Sequence, residues 1–128
     1  FDQNSVSKIN LLGYALQKIK IDKISSLAYL VLSQKELEQF DFQKGDSEGF
    51  VNYCLSIKNI KNAVFLRQDK SLIKISLRSK GDVKMNEFSQ KYYGGGGHQN
   101  AAGAAVESND IDTVTKKLIE NFRSFCSV

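Results

Sequence analysis

A run of four consecutive glycines, Gly94–Gly97, followed at once by His98, constrains the fold of this 128-residue chain more than any other feature. Glycine is unfavourable inside a helix, so the run predicts the end of an amphipathic helix over residues 86–93. Glycine also lets the backbone approach a ligand closely. The small residues from Ala101 onward could begin a helix, whose N-terminus would suit a phosphate or carboxylate. From the residues alone, the run is either an anion-binding loop or a flexible hinge.

Hydrophobic periodicity predicts the other helices and strands. Helices are expected over residues 5–20, from a capping box at 33–36 to residue 40, after a turn at 45–49, and from an Asp110 cap towards the C-terminus. In the first of them, Ile9, Leu12, Leu16 and Ile19 share one face. Strands are expected over residues 26–33, 63–67, 72–78 and 104–107. The predicted fold class is α+β (α/β mixed), a central mixed β-sheet of about four or five strands flanked by helices.

Charge and composition limit the possible functions. The net charge of +4 permits a polyanionic partner without demanding one. Two distant cysteines and one histidine are too few ligands for structural zinc. Cys54 and Cys126 are therefore expected to be buried or half-buried free thiols of a reducing, cytoplasmic location, and a disulfide between them is the alternative. The acidic residues show no metal-ligand spacing with His98, and the chain has no Walker A loop or nucleophile elbow. No apolar stretch approaches the length of a membrane span.

Two groups of residues are candidates for binding an anion. His98 follows the glycine run in a polar context, where an imidazole could donate to a phosphate; the alternative is a solvated surface histidine. Arg78 ends a strand in which apolar and polar residues alternate, so it is expected on the face away from the core. Its guanidinium could bind a phosphate, with Ser79 beside it; the alternative is a solvated basic strand end. Spacing alone does not place Arg78 near His98.

Four segments together carry a resemblance to a known family. They are GFVNYCLSI (49–57), KISLRSKG (74–81), VKMNEFSQKYYGGGGHQNAAGA (83–104) and, more loosely, INLLGYAL (9–16). In this order they resemble the C-terminal DHH-associated domain of DHH-family phosphoesterases, and within that family the NrnA-type oligoribonucleases, also described as bisphosphate nucleotide phosphatases. The resemblance covers nearly the whole chain.

The resemblance implies a two-domain enzyme of which this chain is one part. The family's N-terminal domain carries an Asp-His-His motif and holds manganese, and a chain with a single histidine cannot contain that motif. We therefore expect residues 1–24 to form the connecting helix from a missing N-terminal catalytic domain, and residues 25–128 to form the substrate-binding domain. A start at Phe1 is likewise expected of a piece cut from a longer protein. No catalytic residue, metal ligand or cofactor is expected in this chain, and Mn²⁺ is expected in the catalytic domain.

The resemblance also implies a set of substrate- or phosphate-binding residues, namely Arg78, Ser79, Gly95, Gly96, Gly97, His98 and Asn100. The glycine loop would present backbone N–H groups to a phosphate, and the histidine would hydrogen-bond that phosphate or the scissile region. The arginine, with the serine nearby, would hold the terminal phosphate of a short nucleotide. The asparagine looks more like a brace of the loop than a ligand. Gly94, the extra glycine before the usual three, departs from the family pattern.

The expected function is substrate binding in a manganese-dependent phosphoesterase that acts on short oligoribonucleotides or nucleoside 3',5'-bisphosphates. One alternative is a nucleic-acid-binding module like those of RecJ-type exonucleases or alanyl-tRNA synthetase. Another is a domain of a cyclic or linear dinucleotide phosphodiesterase. The expected partners are short RNA or nucleotide phosphates and the catalytic domain, with a homodimer possible and no membrane association.

Overall fold

The computed structural model describes residues 4–127, which form five helices and six strands. In chain order these are α1 (Val6–Lys18), β1 (Lys20–Asp22), β2 (Leu27–Leu32), α2 (Gln34–Gln39), α3 (Phe50–Leu55), β3 (Asn62–Asp69), β4 (Leu72–Ser79), α4 (Met85–Tyr93), β5 (Gly96–His98), β6 (Ala101–Glu107) and α5 (Ile111–Cys126). The strands form one sheet in the order β1-β2-β3-β4-β6-β5. Strands β2 and β3 run parallel, and the other neighbours are antiparallel.

The predicted α+β class with a mixed sheet is confirmed, but the sheet has six strands within residues 4–127 rather than about four or five. The additional strands are the two edges, β1 and β5, which have three residues each. Three residues are too few for alternation between apolar and polar side chains to show. Edge strands of this length become recognisable only through the neighbours that they pair with.

Local sequence signals explain where several helices begin. Ser33 and Glu36 form the predicted capping box, in which Ser33 Oγ accepts from Glu36 N at 3.1 Å and Glu36 Oε1 accepts from Ser33 N at 2.9 Å. Asp110 caps α5, as predicted, by accepting from Thr113 N at 3.2 Å. Both caps satisfy N–H groups that the first turn of a helix leaves without a partner.

Two hydrophobic cores lie on opposite faces of the sheet. The first lies under α1, α2 and α3 and includes Leu11, Leu30, Leu37, Phe50 and Phe65. The second lies under α4 and α5 and includes Leu66, Ile73, Leu77, Phe88 and Phe122. At the far edge of the sheet, on the side of α1 and α3, the residues of β5 and β6 are exposed or half-buried. We call this uncovered surface of β4, β6 and β5 the open face.

Helix α1 packs with a face that overlaps only in part with the one that its spacing favours. Leu11 and Ala15 are its buried residues, whereas Ile9 is 50% exposed and Leu16 is 42% exposed. The helix carries apolar residues on two stripes, and a period of 3.6 residues fits both of them. Only contact with the sheet selects the stripe that is buried. Leu12 and Ile19 of the predicted face pack, partly buried, against the first core, so the prediction is wrong for Ile9 and Leu16 alone.

Both cysteines are free thiols, as predicted; the expected burial is confirmed for Cys54 and is wrong for Cys126, which is exposed. Burial raises the pKa of the Cys54 thiol to about 11, which makes it a packing residue with little nucleophilic character. Among the described residues, no helix combines the length and the apolar character needed to cross a membrane.

An ion pair fastens the edge strand β1 to α5. Asp22 accepts hydrogen bonds from Arg123 Nε at 3.1 Å and from Ser25 Oγ at 2.6 Å. The hydrogen bond from Arg123, with help from Ser25, holds the pKa of Asp22 at about 2 against an ordinary value of 3.8, although burial acts in the opposite direction. The pair therefore stabilises the fold while Asp22 is ionised.

Acid is expected to weaken the fold through Asp22. Because its pKa is lower in the folded chain than in the unfolded chain, its contribution is complete above the ordinary pKa of 3.8 and is lost as the pH falls towards 2. Urea denaturation at a series of pH values should show the free energy of unfolding falling over this window, and less steeply in Asp22→Asn. Asp82→Asn removes an exposed carboxylate as a matched control. Equal pH slopes in the wild type and Asp22→Asn would contradict the assignment.

Candidate functional site

The glycine run leads into a β-hairpin. Helix α4 ends at Gly94, whose φ of 64° is left-handed, and β5 then turns through Gln99 and Asn100 into β6. The prediction that the small residues from Ala101 begin a helix is therefore wrong. They pair instead with β4 on one side and β5 on the other, where short side chains allow close packing against α4. An anion at this loop would meet the backbone of an edge strand, not the N-terminus of a helix.

The strand register places Arg78 and His98 on one line across the sheet. Arg78 pairs with Ala101 on β6, and Ala101 pairs with His98 on β5. Directly paired residues point to the same face of a sheet, so both side chains belong to the open face. Two strand spacings, about 10 Å, separate their Cα atoms. The register thus supplies the spatial link that sequence spacing did not.

The glycines of the run differ in what the fold demands of them. A Cβ on Gly95 would overlap the carbonyl oxygen of Gly103, and a Cβ on Gly97 would lie 2.5 Å from the Cα of Ala102, on the side of α4. A Cβ on Gly96 would meet nothing within 4 Å. Gly96 pairs with Gly103 and points to the open face. Packing therefore requires Gly95 and Gly97, whereas no described residue requires Gly96 to lack a side chain.

Ser79 and Asn100 tie the hairpin turn to the end of β4. Asn100 Nδ2 donates to Ser79 Oγ at 2.8 Å, and Ser79 Oγ donates to the carbonyl oxygen of Val83 at 2.8 Å. Ser79 is 4% exposed and points to the opposite face from its neighbour Arg78. The structure therefore does not bring the Ser79 hydroxyl beside the Arg78 guanidinium. These contacts are those of a brace, and a direct phosphate contact by either residue stays a prediction.

Arg78 is held in place by backbone carbonyls while His98 is exposed. Nη1 of Arg78 donates to the carbonyl oxygens of Leu77 at 2.9 Å and Ala102 at 3.4 Å. Within residues 4–127, the other guanidinium nitrogens and the His98 imidazole have no hydrogen-bond partner. The open face therefore presents oriented N–H donors of Arg78 together with an imidazole. Such a combination suits an oxyanion.

Three further basic residues share this face and were not singled out from the sequence. Lys44, Arg67 and Lys74, together with Arg78, line a groove of about 450 Å³. Lys74 pairs directly with Arg67 across β4 and β3, and the register puts both on the face of Arg78. The alternation of apolar and polar residues along β4 would have been enough to place Lys74 on this face. Lys44 comes from the loop before α3, and its place at the groove depends on the fold.

The described residues do not fit a manganese centre. Among residues 4–127, no three side chains of His, Cys, Asp or Glu come close enough to hold a metal ion. A catalytic metal needs about three protein ligands besides its substrate or water positions.

The family model described as the DHHA1 domain matches residues 24–124. The chain belongs to the DHHA1 domain family. Its glycine-rich hairpin and its Arg78 strand lie inside the matched region, whereas the first core also takes Leu11 and Ala15 from α1, before that region begins. The matched region also begins beyond α1, the first helix of the DHHA1 chain described here.

Known proteins similar to this DHHA1 domain are longer than it is. A bifunctional oligoribonuclease and PAP phosphatase NrnA of Thermus thermophilus is 36% identical over 78 residues, which is 61% of this chain and 24% of that protein. The protein of the same name from Bacillus subtilis is 29% identical over 113 residues, covering 86% of this chain and 35% of that protein. A solved structure of an exopolyphosphatase-related protein from Bacteroides fragilis has a TM-score of 0.87 at 39% identity, covering 97% of this chain and 37% of that chain.

Alanine substitutions in the glycine run of the DHHA1 domain should separate packing from function. Gly95→Ala and Gly97→Ala are each expected to lower the free energy of unfolding by about 1–3 kcal/mol, because the new methyl group overlaps backbone atoms. Gly96→Ala should change it by less than about 0.5 kcal/mol, since its methyl group meets open space. Thermal and urea denaturation of the three variants provide the measurement. Equal destabilisation by all three would show that the hairpin packs differently.

Proposed function

We propose that this DHHA1 domain is the substrate-binding part of a phosphoesterase that acts on short oligoribonucleotides or nucleoside 3',5'-bisphosphates. The observation that carries the proposal is the line across the sheet from Arg78 to His98, with Gly96 beside it on the same open face. In this proposal the residues that hold Mn²⁺ belong to a catalytic domain outside this chain.

The chemistry of the line matches a terminal phosphate. A guanidinium binds phosphate through two parallel hydrogen bonds, and Arg78 is already oriented by the carbonyl oxygens of Leu77 and Ala102. The His98 imidazole donates to the same group or to the adjoining ester oxygen. Gly96 leaves the backbone of β5 accessible, so that a phosphate approaches its N–H groups without meeting a side chain.

The relatives support the choice of substrate class. The two similar NrnA proteins carry names that describe an oligoribonuclease and a PAP phosphatase. Both activities concern phosphate groups on short nucleotides, which is the kind of ligand that a guanidinium, an imidazole and an exposed glycine backbone can bind. The chain spans about a quarter to a third of the length of these relatives, which leaves most of the proposed enzyme outside it.

Removing either side chain of the line should weaken phosphate binding. Arg78→Ala and His98→Ala are each expected to raise the Kd for a nucleoside 3',5'-bisphosphate by roughly tenfold to a hundredfold, the value of a hydrogen bond to a charged group. Isothermal titration calorimetry measures this in a metal-free buffer. Lys117→Ala, which removes an exposed charge from α5, is the matched control and should leave the Kd unchanged. Unchanged affinity in both site variants would overturn the site.

The same titration of Gly96→Ala tests whether the backbone of β5 contacts the phosphate. Its methyl group lies in open space in the unbound domain, but it would occupy the path by which a phosphate reaches β5. We expect a weaker Kd at unchanged stability. Wild-type affinity in this variant would remove the β5 backbone from the proposed site and leave the side chains of Arg78 and His98.

The isolated domain should bind substrate and not cleave it. With Mn²⁺ and a dinucleotide present, product formation followed by chromatography should stay at the level of a protein-free blank, because the described residues contain no metal centre. Turnover that rises with protein concentration, and persists after repurification, would contradict the division between a binding domain and a catalytic domain.

A further inference from the structure

We propose that the groove beside Arg78 contains a second anion subsite, formed by Lys74, Arg67 and Lys44, which binds another backbone phosphate of a linear oligonucleotide. The proposal rests on the proposed function, since it takes the first phosphate to lie at Arg78 and His98. It deepens that function by naming the substrate class as oligonucleotides long enough to reach both subsites.

The two subsites are separate positions. Arg78 and Lys74 lie four residues apart on β4, which corresponds to about 13 Å along the strand. The guanidinium of Arg78 is held at its own end of the strand by the carbonyl oxygens of Leu77 and Ala102. The Lys74 ammonium lies 4.0 Å from Asp69, towards the turn between β3 and β4. The two cations therefore point apart, and one phosphate does not bridge them.

The second subsite has the charge that an anion requires. Lys74 and Arg67 are directly paired across the sheet, and Lys44 adds a third cation from the loop that forms one wall of the groove. Among the residues that line the groove, Glu48 is acidic. Asp69 lies outside the lining, and its contact with Lys74 is long and exposed, so it neutralises little of this charge.

Arg67 is oriented before any ligand arrives. Its guanidinium carbon lies 5.3 Å from the centroid of the Phe42 ring, in a cation–π contact, and the side chain is half-buried. A guanidinium fixed against an aromatic ring loses less conformational freedom on binding than an extended, solvated one. The N–H groups on the edge of the Arg67 guanidinium that does not face the ring remain available to an oxyanion.

The floor between the two subsites is flat. The residues of β4 and β6 that point to the open face between them are Ser76, Gly103 and Ala105, with Ala101 beside Arg78. Small side chains let a ribose–phosphate chain lie along the sheet from one cationic end to the other. The loop over residues 44–49 forms the wall on the side of α3. A groove of about 450 Å³ has the size of sites that hold small organic ligands.

The separation of the subsites selects for length. A nucleoside 3',5'-bisphosphate carries both phosphates on one ribose, and they are too close together to span about 13 Å. It therefore occupies the first subsite alone. A linear trinucleotide with a 5'-phosphate places one phosphate at Arg78 and a later one at Lys74.

Comparing ligands of increasing length tests the second subsite. In metal-free calorimetric titrations, the wild-type domain should bind a 5'-phosphorylated trinucleotide about tenfold more tightly than the nucleoside 3',5'-bisphosphate, the gain expected from one more charged contact. Lys74→Gln and Arg67→Gln should each remove most of that gain while leaving the Kd for the bisphosphate unchanged. Lys117→Gln, on α5, is the control for net charge. Urea denaturation checks that each variant remains folded.

Salt dependence adds a readout that a purely structural effect would not change. The slope of log K against log salt for the trinucleotide should become shallower by about 0.7 in Lys74→Gln, the value for one lost phosphate contact of a single strand. A wild-type slope with a weaker Kd would contradict direct contact at Lys74.

The outcomes separate this proposal from the one that it builds on. If Arg78→Ala weakens all ligands but neither groove variant affects the gain with length, the second subsite is wrong and the first stands. If Arg78→Ala has no effect on any ligand, the proposed function fails together with this inference. A gain with length that survives in the double variant Lys74→Gln/Arg67→Gln would also overturn the second subsite.

Discussion

The close approach of β5 to β6 and α4 is the constraint on which the rest of this site depends. Only glycine permits it, because a side chain at Gly95 or Gly97 would overlap the backbone of β6. This approach sets the register of the hairpin, and the register sets which face His98 occupies. A slip of one residue would turn the imidazole to the side of α4, away from Arg78. The run is thus a packing device that orients a candidate ligand-binding residue.

In this half of the sheet, one face holds the hydrophobic core and the other holds the candidate binding residues. On one face Phe88 packs in edge contact with Phe122, their ring centroids 5.2 Å apart, and both are fully buried. On the other face the described residues of β4, β6 and β5 are polar or small apart from Leu72, which is 38% exposed. Burial on a single face is enough to hold an antiparallel sheet together. The open face can therefore carry uncompensated positive charge at little cost to the fold.

The sequence predicts the elements whose signals are local and misses those set by tertiary contact. The capping box at Ser33, the cap at Asp110 and the alternation along β4 each act within a few residues, and the structure contains all three. The helix expected after the glycine run fails because small residues have no strong periodicity, so pairing with β4 decides their conformation.

The candidate site likewise has residues that local signals predict and an arrangement that tertiary contacts determine. Alternation places Arg78 on the face away from the core, and the glycine run draws attention to His98. Their alignment comes from the order of β4, β6 and β5, in which a strand later in the chain lies between the two. Neither the sequence around Arg78 nor the sequence around His98 predicts that strand order. Arg67 and Lys44 were overlooked for the same reason, because each reaches the groove from a different element.

An open, charged face is well suited to be one half of a site. Two unit charges 4 Å apart interact by about 1 kcal/mol in bulk water and by about 4 kcal/mol at the lower effective dielectric of a protein surface. The cations on the open face are exposed or half-buried, so water screens their attraction for a phosphate. Under the proposed function, a catalytic domain that covers this face would exclude that water and strengthen the same contacts without adding a residue to them. Binding of a phosphate at Arg78 and closure of the two domains would then stabilise each other, because each lowers the cost of the other.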